Sequence, residues 1–109
     1  MFLDAYKDFV AMTCKNRGFV DATRNDHKAL GALLELQGEL GEVTEIFQKA
    51  SRRRGGRLSV EDVEKLHDEL GDVLWGFVAH LNALDFEITD VARANYRKLE
   101  DRRRKDHQL

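Results

Sequence analysis

The run ALGALLELQGELGEVTEIFQKASRRRGG, residues 29–56, decides the fold. Within it Leu33, Leu36, Leu40, Val43, Phe47 and Ala50 recur at three- and four-residue spacing, as on one helical face turned to a core. Asn25 or Asp26 stands where a helix cap belongs. Lys49, Arg52, Arg53 and Arg54 crowd the far end, where positive charge complements the helix dipole, and Gly55-Gly56 stops the run. A long helix is predicted from about Asp26 to Arg53.

The same reading extends in both directions. Downstream, Ser59 with Asp62 three residues on forms an acidic variant of the capping box. Val63, Leu66, Leu70, Val73, Phe77 and Leu81 then form a stripe that ends near Asn82. The turn ALDFEI leads to a last helix from about Thr89 to Lys105, with Val91, Ala92, Tyr96 and Leu99 expected to face inward. Upstream, Phe2, Tyr6, Phe9, Val10 and Thr13 place a first helix from about Phe2 to Lys15, and NRGFVDATRND reads as a loop. Four amphipathic segments with short connections predict an all-α, four-helix bundle-like protomer. Such helices leave apolar surface over in so short a chain, so assembly into a homodimer or homotetramer is expected.

Composition narrows the function classes. A chain of 109 residues supports one core, so residues 1–109 are read as a single domain. Its 18 basic residues nearly balance 20 acidic ones, which makes nucleic acid an unfavoured partner. Cys14 is the single cysteine, so no internal disulfide forms, and a reducing, cytoplasmic setting is expected. Acidic residues interrupt the apolar start MFLDAYKDFV, unlike a signal peptide. No run reaches the roughly 18 apolar residues of a membrane span.

The chemistry lies in a pattern that occurs twice. Glu39-Leu40-Gly41-Glu42-Val43 sits midway along the second helix, and Glu69-Leu70-Gly71-Asp72-Val73 midway along the third. Each places two carboxylates three residues apart on one helical face. At about 100° per residue, each pair lies roughly 120° from the centre of its apolar stripe. If the stripes pack together, both pairs line one edge of the contact, and Glu35 points the same way. Two charges about 5 Å apart repel by roughly 3 kcal/mol at an effective dielectric near 20. Four carboxylates therefore pick up protons or recruit a cation, and oxygen ligands without Cys or His select Mg²⁺, Mn²⁺ or Ca²⁺. Gly41 and Gly71 each cost about 1 kcal/mol relative to Ala inside a helix. Their matched placement suggests close helix approach or a ligand. The competing reading is a solvated acidic face.

These motifs resemble the MazG-like, all-α nucleotide pyrophosphohydrolases, a superfamily that includes dimeric dUTPases and dCTP pyrophosphatases. Its mark is Glu-x-x-Glu on one helix and Glu-x-x-Asp on the next. The resemblance makes Glu39, Glu42, Glu69 and Asp72 catalytic ligands of Mg²⁺, with Mn²⁺ as a substitute, and implies conversion of a (d)NTP to the monophosphate and pyrophosphate. GELGEVTEIFQKA and DELGDVLWGF look like the family's helices beyond the four acids. The family's Asn, Lys-Leu and Arg of the last helix are matched by Asn95, Lys98-Leu99 and Arg102, which the resemblance makes triphosphate contacts. The similarity runs from about Leu30 to Arg104, and the first helix matches only loosely. Where the dCTP and dUTP branches carry an aromatic residue one turn after the Asp, this chain has Gly76, and Trp75 turns to a different face. The segment RRRGGRLSVED matches no base-specific branch.

Two other readings stand beside this one. A phosphoribosyl-ATP pyrophosphatase-like hydrolase would use the same acids on a larger substrate. A non-catalytic helical interaction module would use the arginine clusters and need no metal. Glu64 and His67 form one Glu-x-x-His without a second copy, so His67 is placed at the surface rather than in a di-iron site. Trp75 and Cys14 are read as core.

Overall fold

The structure is a computed structural model and describes residues 2–14 and 24–107; Lys15 and positions 16–23 of the expected loop lie outside the described residues. Four helices follow in order: α1 (Phe2–Thr13), α2 (Asp26–Arg54), α3 (Val60–Ala83) and α4 (Ile88–His107), with no strand among the described residues. Each boundary has a local cause. The Asn25 side chain accepts from the Lys28 N–H at 2.9 Å and caps α2. Gly55 ends that helix in the left-handed region at φ 62°, which suits a residue without Cβ. Ser59 and Asp62 form the reciprocal capping box of α3, each side chain accepting from the other's backbone N–H.

Helices α2 and α3 form an antiparallel hairpin that holds much of the core. The Asn25 N–H donates to the Ala83 carbonyl at 2.7 Å, and His80 Nδ1 donates to the Ala29 carbonyl at 2.8 Å. Further along, Leu36 packs on Gly76, and Arg54 pairs with Asp62 at the closed end. Leu36, Ala50 and Leu66 are buried in or beside this contact. Helix α1 lies antiparallel along α3: Trp75 Nε1 donates to Thr13 Oγ1 at 3.0 Å, and Asn82 Nδ2 to the Lys7 carbonyl at 3.2 Å. Val10, Val78 and Ala79 are buried at its centre, with Trp75 half-buried against them.

Three expectations change here. Val91, Ala92, Tyr96 and Leu99 do not form an inward face: α4 packs chiefly on α1, buries no residue, and leaves Tyr96 69% exposed. The radius of gyration, 17.5 Å, exceeds the roughly 13 Å of a compact 100-residue domain for this reason. The α2–α3 contact is also rotated toward the acids. It centres on Leu36, Val43 and Ala50, while Phe47 (48%) and Leu70 (50%) stay exposed on the far flank with Leu40, Val63 and Phe77. Both stripes are wider than one neighbouring helix covers. Finally, Gly41 and Gly71 do not mark the close approach of the helices, since a Cβ at either would meet nothing within 4 Å. Gly76 does: a Cβ there would lie 3.5 Å from Leu36 Cδ1.

Candidate metal centre

The rotated contact brings the acids together. Glu39 and Glu42 stand one turn apart on α2, opposite Glu69 and Asp72 on α3, where the hairpin runs antiparallel. One oxygen from each of Glu39, Glu69 and Asp72 falls in a group whose members all lie within 4.8 Å of one another. Glu42 faces Glu69 closely enough to raise its carboxyl. Glu35 is exposed and stands outside the group.

The charge of this cluster meets no ion-pair partner among the described residues. Among the described residues, the Lys and Arg side chains pair with Glu45, Asp62, Glu87, Glu100 and Asp26 rather than with these four acids. Nor does a donor meet the Oε2 atoms of Glu39 and Glu69, which are buried without a hydrogen-bond partner. Protonation is the response open to the metal-free protein. The Glu69 carboxyl is pushed up to about 7, first by sharing a hydrogen bond with Glu42, then by burial and the charges of Glu42, Glu39 and Asp72. Burial also raises Glu39, with the charges of Glu42 and Asp72 acting in the same direction.

Carboxylate oxygens converging from two rigid helices fit a hard divalent cation. Mg²⁺ is held by a few carboxylates with waters and substrate phosphates completing its octahedron. Two buried oxygens without donors are positions such an ion would satisfy. An acid paired to an Arg, by contrast, would leave no such vacancy in the hydrogen-bonding count. The remaining predicted contacts are placed differently. Asn95, Lys98 and Arg102 lie on the exposed surface of α4, and among the described residues no hydrogen bond or ion pair joins them to the acids. His67 is exposed as expected, and Cys14 is half-buried and unpaired in any disulfide.

One neighbour was not read from the sequence as part of this region. Burial and then the charge of Asp72 raise the Tyr6 phenol, so α1 borders the acid edge. Helical periodicity placed Tyr6 on the stripe of the first helix and carried no signal of which part of α3 it would meet.

Residues 27–107 match the family of the MazG nucleotide pyrophosphohydrolase domain. The chain is also similar to Gene 37 protein of Mycobacterium phage L5, at 39% identity over 69 residues. That stretch is 62% of this chain and spans 60% of the length of the phage protein. No solved structure matches the chain.

Proposed function

The chain belongs to the MazG nucleotide pyrophosphohydrolase domain family, and from that premise we propose that it hydrolyses a (d)NTP to the (d)NMP and pyrophosphate. In this reading Glu39, Glu42, Glu69 and Asp72 hold Mg²⁺, or Mn²⁺ in its place. The observation that carries it is the cluster itself: three ligand oxygens within 4.8 Å, no cationic partner among the described residues, and two buried oxygens without a donor. A solvated acidic face would spread these groups apart, because nothing would repay their mutual repulsion.

When bound, a divalent ion neutralises phosphate charge and makes a coordinated water more acidic. The chain's own part is to fix the carboxylates on two helices so that the phosphates are held in one orientation. A carboxylate oxygen left free of the ion accepts the proton of the attacking water. The new P–O bond forms at the α-phosphorus while its bond to the bridging oxygen breaks, releasing pyrophosphate.

We extend the proposal to assembly and substrate contacts. The uncovered flank of the α2–α3 hairpin and the apolar residues of α4 support a homodimer or homotetramer. Asn95, Lys98 and Arg102 then bind triphosphate where assembly brings an α4 to an acid cluster. A single domain acting in the cytoplasm completes the reading; among the described residues no helix is long and apolar enough to cross a membrane.

Pyrophosphate release across the common (d)NTPs and phosphoribosyl-ATP, with Mg²⁺ and with EDTA, tests the activity. Turnover of a triphosphate that EDTA abolishes is expected. Preference for phosphoribosyl-ATP would move the chain to that branch. Salt-sensitive nucleic-acid binding with no metal-dependent turnover would replace the enzyme with an interaction module.

A further inference from the structure

Beyond the four acids, the hairpin holds a second feature on the same face. A cleft of about 440 Å³ runs from the acid cluster toward the closed end of the hairpin, a volume within the usual range of ligand sites. Glu42 and Glu69 line its inner end, and Lys49, Arg53 and Lys65 lie along it. Helical spacing explains the alignment. Glu42, Lys49 and Arg53 fall at i, i+7 and i+11 on α2, and Lys65 and Glu69 at i and i+4 on α3, so each set shares one face. The acids and the cations thus occupy successive stretches of one channel between two rigid helices.

Three other acids line the cleft; Glu61 forms no ion pair among the described residues, while Glu45 and Asp62 are engaged. Glu45 pairs with Lys49 at 2.8 Å, and its carboxyl is held low by that bond and by the charges of Arg52 and Lys65. Asp62 caps α3 and pairs with Arg54. Arg53 and Lys65 form no ion pair among the described residues. The cleft therefore offers cations beside a place where a bound metal ion would hold phosphate oxygens. The α4 residues Lys98 and Arg102 supply no charge there within one chain, because α4 packs chiefly on α1.

We propose that this cleft is the subsite for the pyrophosphate half of the substrate, with Lys49, Arg53 and Lys65 gripping the β- and γ-phosphates. The proposal rests on the hydrolase reading above and adds a direction to it: the triphosphate tail points toward the Gly55-Gly56 turn, and the nucleoside toward the opposite end of the hairpin. The leaving group then departs along the basic channel. Inorganic pyrophosphate is accordingly a ligand of this cleft, and the nucleoside monophosphate is not.

The test compares the parent with the single variants Lys49→Gln, Lys65→Gln and Arg53→Gln, using Lys105→Gln as a control of equal charge. Calorimetric titration of each with pyrophosphate and with a nucleoside monophosphate, in Mg²⁺, is run beside product inhibition of turnover. Pyrophosphate binding should weaken at least tenfold in the cleft variants, monophosphate binding should stay within twofold, and the control should match the parent. Thermal melts should be unchanged, since Lys49, Arg53 and Lys65 are exposed. Unaltered pyrophosphate binding, or equal loss for both ligands, would overturn the subsite. A parent that turns over no nucleotide sinks the hydrolase reading instead, and the calorimetry still decides whether the cleft holds pyrophosphate.

Discussion

Asp72→Asn separates a metal centre from a structural ion-pair network, because the two give opposite signs. Asp72 and Glu39 place oxygens within 4.8 Å of each other, and among the described residues neither forms an ion pair. At that separation and an effective dielectric near 20, their repulsion is about 3 kcal/mol. Asp72 is exposed, so solvent and salt screen the effect to about 1 kcal/mol. Replacing it with Asn keeps the shape and removes the charge. The metal-free variant should therefore melt about 4–8 °C above the parent. Mg²⁺ should stabilise the parent by about 2.7 kcal/mol at a hundredfold excess over its dissociation constant, and the variant by much less. Pyrophosphate release should fall by at least a hundredfold. Melts of both proteins in EDTA and in excess Mg²⁺, with one turnover assay, decide the matter. A variant that melts lower in EDTA, keeps its Mg²⁺ shift and still hydrolyses nucleotide refutes the reasoning.

Three further perturbations probe the same structure. The Glu69 carboxyl stands near 7 in the folded metal-free chain, against an ordinary 4.5, so the folded state holds more protons than the unfolded one between those values. Stability in EDTA should then fall as pH rises from 5 to 7.5, and Mg²⁺ should flatten the profile; denaturant melts that rise with pH across this window would contradict it. The lowered carboxyls Glu45, Asp62 and Glu100 do not offset this trend, because their contribution is lost only as pH drops below about 4.5. At Gly71 a Cβ meets nothing, so Gly71→Ala should stabilise the protomer by about 0.5–1 kcal/mol; a loss of turnover in that more stable variant would assign the open space to substrate or a second copy. Lys98→Ala should weaken triphosphate turnover at least tenfold with an unchanged melt, and activity within twofold of the parent would remove α4 from the site.

The hairpin was legible because its determinants are local. Asn25, Ser59, Asp62 and Gly55 each act on backbone groups within a few residues, and the structure uses all four as caps. The doubled acid motif was legible for a related reason. A three-residue spacing sets two carboxylates on one face wherever the helix lies, and antiparallel pairing of equivalent positions brings the two faces together. What the sequence left open is rotation and docking. Stripes as broad as Leu33 to Ala50 and Val63 to Leu81 are compatible with a range of rotations. The observed one half-buries Glu39 and Glu69 and leaves Phe47 and Leu70 exposed. Close contact of Leu36 with Gly76 supplies the reason, since the helices approach where one side has no Cβ. The doubled glycines Gly41 and Gly71 border open space rather than the helix contact, which leaves a ligand as the use for their missing side chains. Helix α4 is the larger case. Its amphipathic pattern is real, but periodicity specifies only that a face is apolar, not which surface covers it. In the protomer that face remains open, with Tyr96 and Leu99 beside the basic residues Arg93 and Arg97. The same stretch of sequence that fixes a helix thus leaves its partner undetermined, and the acids and the phosphate-contacting positions of α4 meet only if the assembly supplies the missing contact.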